Sequence, residues 1–154
     1  MADSIRQQII NAIDTQLQTI KKNTYETDLG LRVFWQRDTN LNPIQDGESP
    51  CLVVEVSDDE YEPIAYRAEM HKLILSFKAL SLPDTNIQDR MRSDIIISMY
   101  NSNDHTWSSL ADDTIHTGTG EFEEIHAENK FLGVELEYTI EYQTANGDPY
   151  NFPS

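Results

Sequence analysis

The sequence predicts an α+β domain in which two helices pack on one face of a mainly antiparallel or mixed sheet of about five strands. Two amphipathic patterns with helical spacing lie near the start and the middle of the chain, and strand-like segments come in groups between and after them. Strands do not alternate one by one with helices, as they do in parallel sheets. The expected order is therefore α-β-β-β-α-β-β, and 154 residues suit one domain over residues 1–154.

The first element is an amphipathic helix over about residues 3–22. Its apolar residues recur every three or four positions and form one stripe. Asp3 or Ser4 can cap its start, and Lys21 and Lys22 suit the negative end of its dipole. The stripe consists of Ile5, Ile9, Ile10, Ile13, Leu17 and Ile20.

Three strands are predicted to follow this helix. Residues 31–37 and 51–57 are rich in β-branched or aromatic residues, and the loop between them, residues 38–50, contains two prolines and a glycine. The third strand covers residues 64–80, which alternate in their first half and are apolar on both sides in their second. The alternating residues are Tyr66, Ala68, Met70 and Ile74.

A second helix is predicted after the Pro-Asp-Thr segment at residues 83–85. Asp84 or Thr85 is the expected cap, and the helix should end near Tyr100 and Asn101. One face of the helix is apolar, which suits packing on the sheet. This face carries Ile87, Met91, Ile95 and Met99.

The last two strands are predicted at residues 112–120, ending in Gly118 and Gly120, and from residue 131 onward. The final strand alternates: Glu135, Glu137 and Glu141 share one face, because successive side chains of a strand point to opposite sides. The apolar face should pack under the helices, and the glutamates should meet water or another subunit. The apolar face consists of Leu132, Val134, Leu136, Tyr138, Ile140 and Tyr142.

The chain is strongly acidic, and its charge is uneven. It has 27 acidic and 11 basic residues, which give a formal net charge of −16. Residues 1–92 hold 15 acids and 10 bases, whereas residues 93–154 hold 12 acids and one base, Lys130. Tight binding to duplex phosphates needs clustered Lys and Arg, and an anionic membrane would repel this chain. We therefore expect neither as a tightly bound partner.

Cysteine usage and the N-terminal segment exclude further classes. Cys51 is the single cysteine, so the sequence provides no internal disulfide and no Cys-x-x-Cys pair. Residues 1–22 lack the apolar centre of a signal peptide, and no stretch has membrane-spanning length. We expect a soluble protein that is made inside the cell.

No catalytic, cofactor-binding or metal-binding residues are predicted. The four histidines fit no HExxH, HxH or Cys/His spacing. Residues 116–120, HTGTG, lack the lysine of a phosphate loop, and Cys51 has no basic neighbour in sequence. We therefore expect a protein that is not an enzyme and needs no cofactor. The histidines are His71, His105, His116 and His126.

Four segments together resemble the tail terminator family of long-tailed bacteriophages, the group of minor tail protein U-like proteins. They are the opening helix SIRQQIINAIDTQLQTI, the strand GLRVFWQRD, the Pro-Cys-Leu-Val-Val start of the next strand, and the closing GVELEYTIEYQTANGDPY. The last of these, which runs into Gly147-Asp148-Pro149-Tyr150, is the most specific. The acidic VSDDEYEP segment and the final NFPS have no counterpart in the family pattern, and residues 147–154 are expected to form a short irregular tail.

The resemblance implies a structural virion protein, assembled in the bacterial cytoplasm. Such proteins form a ring, commonly a hexamer, on the last ring of tail-tube protein, stop tail elongation and present a surface to the head connector or neck proteins. DNA passes through the ring without tight binding, and carboxylates on the bore would repel its phosphates. Trp107, in a polar stretch, is a candidate interface residue. The candidate lumen or interface residues are Glu135, Glu137, Glu141, Trp107, Asp148 and Tyr150.

Three other interpretations remain open from the sequence. A neck or tail-completion protein would come from the same region of the virion. An acidic DNA-mimic inhibitor would use carboxylates in place of phosphates, although one strand covers only part of a phosphate array. The glutamates could also be ordinary solvent-facing residues of an antiparallel sheet.

Overall fold

Two α-helices lie against one face of a five-stranded sheet in the computed structural model, which describes residues 3–65 and 67–153. The order of helices and strands is the predicted one, and the α+β class is confirmed. No helix in this described part of the chain is long and apolar enough to cross a membrane. In chain order the elements are α1 Ile5–Leu17, β1 Val33–Trp35, β2 Cys51–Ala65, β3 Ala68–Ser81, α2 Ile87–Tyr100, β4 Asp113–His126 and β5 Asn129–Ala145.

The sheet is mixed and has the strand order β1-β2-β3-β5-β4. β1 runs parallel to β2, and all other neighbouring pairs are antiparallel. Two hairpins, β2–β3 and β4–β5, supply most of the sheet, and β5 pairs with both β3 and β4 over almost its whole length. As a result β5, the alternating strand, lies in the interior of the sheet, and β4 forms an edge.

The strand predicted at residues 51–57 is much longer in the structure. β2 continues through the acidic segment to Ala65, because β3 pairs with it along the whole hairpin. The third strand therefore begins at Ala68 and not at residue 64, and the chain reverses near Arg67, which has a φ of 74°. Tyr66, part of the predicted alternation, lies outside the described residues. The strand was not predicted over this segment because its side chains are mostly charged, and sequence patterns detect strands mainly by their apolar residues.

The ends of β4 and α1 also differ from the predicted ones. β4 continues past Gly118 and Gly120 to His126, since β5 offers a hydrogen-bonding partner along that whole length. α1 ends at Leu17, so Lys21 and Lys22 lie beyond its last turn, and Ser4 is the residue whose Oγ accepts the capping hydrogen bond. These shifts are of the kind expected where tertiary pairing decides where an element stops.

The start of α2 also differs from the prediction, whereas its end does not. Asn86 precedes the helix in a left-handed conformation and makes no side-chain cap, so neither Asp84 nor Thr85 is the capping residue. At the other end Asn101 has a φ of 51° and closes the helix, as expected near residues 100–101. Asp84 instead forms an ion pair with Arg90 at 2.8 Å.

The main core lies between the helices and the sheet. The stripe of α1 is buried at Ile5, Ile9 and Ile13, and β5 contributes Leu136 and Ile140 with no exposed surface. The predicted faces of β5 are therefore confirmed. Burial of this many aliphatic and aromatic side chains is the dominant stabilising contribution in a domain of this size.

A buried carboxylate holds the connection after α1 in place. Asp94 of α2 is almost fully buried and accepts hydrogen bonds from the backbone N–H groups of Glu26 and Thr27 and from the Thr27 hydroxyl. The three distances are 3.1, 2.8 and 2.6 Å. Hydrogen bonds of this number offset the cost of removing the charge from water. The chain between α1 and β1 is thereby fixed against α2.

We call the sheet face opposite the helices the outer face. One end of it is covered by the loop over residues 38–50, whose Ile44 packs against a small apolar cluster. Both arms of the Arg37 guanidinium bond Glu48, at 2.8 and 3.1 Å, and its carbon lies 4.5 Å from the centre of the Phe34 ring. The covered cluster consists of Ile44, Cys51, Val53, Leu80 and Phe131.

The assignment of the two faces of β5 predicts opposite outcomes for adjacent positions. Leu136→Asp buries an unpaired carboxylate in the main core and should lower the free energy of unfolding by more than about 3 kcal/mol. Glu135→Asp, on the outer face, should change it by less than about 0.5 kcal/mol. Urea unfolding followed by circular dichroism measures both, and an unchanged midpoint for Leu136→Asp would show that the faces are reversed.

The reactivity of the buried Cys51 thiol reports whether the loop over residues 38–50 stays closed over its apolar cluster. Burial raises the pKa of its thiol to about 12, so little reactive thiolate exists at neutral pH. Iodoacetamide should leave the native protein unlabelled while it labels the urea-unfolded chain completely, as read by intact mass. Rapid stoichiometric labelling of the native protein would mean that the loop opens readily.

Candidate interface on the outer face of the sheet

Glu135, Glu137 and Glu141, which we call the glutamate row, lie on the outer face. Glu135 and Glu137 are exposed and Glu141 is half-buried. The Ser76 hydroxyl donates to Glu135 Oε1 at 2.9 Å, and the Thr117 hydroxyl donates to Glu137 Oε1 at 2.9 Å. Within residues 3–65 and 67–153 none of the three glutamates forms a salt bridge. The carboxylates of Glu135 and Glu137 are therefore exposed and, in that part of the chain, make no salt bridge.

The row is part of a wider set of carboxylates. Residues directly opposite each other in neighbouring strands share a face. Lys72 lies between Glu60 of β2 and Glu141 of β5, and Ser76 lies between Glu55 and Glu137. Carboxylates of two strands thus border β3 on both sides of the outer face.

Two glycines of β4 leave space beside the row. Gly118 is the cross-strand neighbour of Glu137, and Gly120 is the neighbour of Glu135. Neither glycine carries a side chain over the sheet, and an open depression of about 520 Å³ lies along this part of β4, bordered at its end by Phe122. Glu135 and Glu137 are therefore accessible from the edge of the sheet at β4.

Three ionisable side chains form a network at the other end of the outer face. Glu124 Oε1 lies 2.5 Å from Lys78 Nζ, and Glu124 Oε2 lies 2.6 Å from His126 Nε2. Burial alone would raise the pKa of the Glu124 carboxyl, but the hydrogen bonds from Lys78 and His126 outweigh it and hold that pKa below its ordinary value. The network ties the end of β4 to β3. Sequence analysis missed it, because Lys78 is 46 positions away from Glu124.

A cleft of about 800 Å³ opens beside this network. The segment over residues 36–43 forms one wall, and the hairpin end over residues 124–127 forms the other. Arg37 and Lys78 line the cleft, but each is already paired with a carboxylate, Glu48 and Glu124 respectively. Among the described residues that line the cleft, none of the lysines and arginines is therefore free to bind an anionic ligand.

Asp148 and Tyr150 lie in the irregular segment that follows β5. Asp148 accepts hydrogen bonds from the Tyr150 backbone N–H and from the Asn151 side chain, and these hold its pKa below the ordinary value. The Pro149 carbonyl accepts from the Ile5 backbone N–H at 3.0 Å. Tyr150 remains 48% exposed. Asp148 therefore stabilises the turn, while the Tyr150 side chain is exposed enough to contact another subunit. Ser154 lies outside the described residues.

Trp107 does not lie at a surface, and the interface prediction for it is wrong. Its side chain is only 3% exposed and belongs to the main core. The indole Nε1 donates to the Thr114 hydroxyl at 2.8 Å, and that hydroxyl donates to the His105 carbonyl at 2.8 Å. Thr114 near the start of β4 satisfies the indole N–H, which a sequence pattern does not reveal. Trp35 is half-buried against the main core, and its indole Nε1 donates to Asp14 Oδ1 at 2.8 Å.

The histidines are distributed over the sheet and do not form one site. His71 stacks between the rings of Tyr61 and Tyr142, and His116 stacks on Tyr138. Among the described residues, no group of three or more His, Cys, Asp or Glu side chains could hold a metal ion.

Comparison of the chain with protein-family models found no match, and comparison with curated proteins found none either.

The network at Glu124 predicts a pH dependence of stability. Because the folded-state pKa of Glu124 is lowered, its stabilising contribution is present above the pKa of the unfolded chain, about 4.3, and is lost as the pH falls through the folded value. Glu124→Gln should therefore lower the free energy of unfolding by up to about 1 kcal/mol at pH 7, and this difference should shrink towards zero in strong acid. Urea unfolding at several pH values measures this difference.

Glu123→Gln is the matched control, since Glu123 is more exposed and lies 3.3 Å from Lys130 in a looser pair. Its effect should be smaller at every pH. A cost of Glu124→Gln that stays constant from pH 7 into strong acid would contradict the assignment of the network.

Proposed function

We propose that this chain is a tail terminator of a long-tailed bacteriophage. In this proposal a ring of copies, six by the family resemblance, caps the tail tube, ends its elongation and joins it to the head connector. The proposal is supported by the resemblance of the first helix, the first two strands and the closing strand, and by the α+β fold. The virion is the corresponding location.

The observation that carries the proposal is the glutamate row on a sheet face that the helices leave uncovered. Glu135, Glu137 and Glu141 make no salt bridge within residues 3–65 and 67–153, and Glu55 and Glu60 add charge on the neighbouring part of the same face. If this face lines the bore of a ring, like charges keep phosphates from adhering while the genome moves. The bases that could bind DNA are few, and Lys78 is already paired with Glu124.

An acidic DNA-mimic inhibitor is the second candidate. It is favoured by the spread of carboxylates over β2 and β5, which extends the array beyond the single row of the last strand. A mimic would present this face to the DNA cleft of an enzyme, where carboxylates take the positions of phosphates. A neck or tail-completion protein would place the same face in the same virion region.

The test replaces the whole glutamate row. Glu135→Gln, Glu137→Gln and Glu141→Gln together should leave folding intact, because these side chains face away from the main core. In the phage that carries the gene, tails should have normal length but DNA ejection should be slower. Substitution of all three by Lys should be worse and salt-dependent, since Lys binds phosphate. Electron microscopy of tails and ejection kinetics provide the two readouts.

Each alternative placement has its own outcome. Overlong tails would mean that the row belongs to a subunit or tube interface, because an uncapped tube continues to grow. Normal tails with normal ejection for both triple variants would remove the bore assignment. Normal phage assembly without this gene, together with loss of inhibition of a DNA-binding enzyme in the Gln variant, would establish the DNA mimic. Native mass spectrometry of each variant shows whether ring formation itself has changed.

A further inference from the structure

The long edge of the sheet is free. Within residues 3–65 and 67–153, β4 pairs only with β5, so along its other side the alternate N–H and C=O groups point away from the sheet. The β4–β5 pairing shifts register between His116 and Gly118, and from Gly118 to His126 the ladder is regular. His116 Nε2 lies 2.9 Å from the Gly118 carbonyl, so that group already has a partner. The remaining edge is long enough to pair with another extended segment.

Next to this edge, two glycines of β4 lie beside two glutamates of β5. Gly118 and Gly120 occupy the outer-face positions of β4, directly beside Glu137 and Glu135. A methyl group built on Gly120 would meet nothing within 4 Å, and one on Gly118 would meet only the Glu137 Cβ, at 3.7 Å. The two glycines therefore create a gap through which a side chain from outside the sheet can reach the two carboxylates.

We propose that the edge of β4 binds an extended segment of another protein, which adds a sixth strand and carries two basic residues at alternate positions. Such a strand would lie about 4.8 Å from β4 and about 10 Å from β5. Its Arg or Lys side chains would cross Gly118 and Gly120 and pair with Glu137 and Glu135. Backbone hydrogen bonds supply the affinity, and the two ion pairs set the register and the specificity.

The next outer-face position of β4 defines a third residue of the partner. Phe122 is half-buried and borders the depression beside Gly120, and its ring lies over Gly133 of β5, away from the free edge. An aliphatic residue two positions beyond the second basic residue would pack against the edge-facing side of Phe122. The preferred segment therefore alternates basic, basic and apolar residues on the face it shares with the glutamates.

Charge argues against a second copy of the chain as the occupant. Antiparallel pairing of two β4 strands would bring Glu121, Glu123 and Glu124 of both copies close together, and like charges across strands are destabilising. β1, at the opposite edge of the sheet, has only three residues and does not present two basic residues at alternate positions. A basic partner is the complement of this edge. This inference does not depend on the proposed function.

The test uses the full-length protein and a capped peptide of seven residues, Thr-Arg-Thr-Arg-Thr-Ile-Thr. Binding is measured by fluorescence anisotropy and by the NMR shifts of β4 amides. The variant Glu135→Gln/Glu137→Gln should bind about fivefold more weakly or worse, and added salt should weaken binding to the wild type. Gly120→Val should fold, because the added side chain has space and suits a strand, and should bind at least as poorly, because it fills the gap.

Two controls separate strand addition from general attraction. Glu121→Gln removes one charge from the opposite face of β4 and should leave binding nearly unchanged. A peptide that is N-methylated at the alternate residues whose N–H groups face β4 cannot donate hydrogen bonds to β4, so it should not bind.

Several results would overturn the proposal. One is that the first peptide binds the wild type, Glu135→Gln/Glu137→Gln and Gly120→Val with equal affinity. Another is that the N-methylated peptide binds the wild type as tightly as the first peptide does. A third is that the first peptide shows no binding to the wild type at about 1 mM, where little affinity remains. Self-association of the chain through β4, seen as NMR contacts between two β4 strands, would also overturn it. Because none of these measurements involves tails or rings, failure here leaves the tail terminator proposal standing.

Discussion

A sheet has two faces, and in this fold the helices cover only one of them; the other features of the molecule depend on this constraint. Side chains alternate along each strand, so every core position on β5 brings neighbours that point the other way. Leu136 and Ile140 are fully buried beneath the helices, and Glu135 and Glu137 are exposed on the outer face. One register therefore determines both the core and the charged surface.

The outer face is itself divided into two parts. At one end the loop over residues 38–50 covers apolar side chains, and two ion-pair systems lie nearby, Arg37 with Glu48 and Lys78 with Glu124. At the other end the carboxylates meet solvent and depend on hydration. Charges beside apolar groups are screened less by salt than exposed charges are. Ionic strength should therefore affect the exposed glutamates more than the stability of the fold.

The free edge of β4 combines protection with access. Natural sheets protect their edges with bulges and charges, and β4 has both, a register shift near residue 117 and the acidic pair Glu121 and Glu123. These features oppose pairing between identical chains. The glycines at 118 and 120 leave the edge open to a basic partner, and Glu141 lies beyond them. The basic segment proposed for this edge would pair with Glu135 and Glu137, so it would neutralise two of the three carboxylates that the proposed bore would present and leave Glu141.

The sequence by itself determined the class of the fold, the order of its elements and the two faces of β5, because these follow from local periodicity. It did not determine the β2–β3 hairpin, in which a charged segment becomes strand only because β3 pairs with it. It also misplaced Trp107, which is buried in the main core with its indole N–H bonded to Thr114 of β4. The network of Lys78, Glu124 and His126 joins strands distant in sequence. Only tertiary structure decides such contacts, since each requires two segments whose sequences do not encode their proximity.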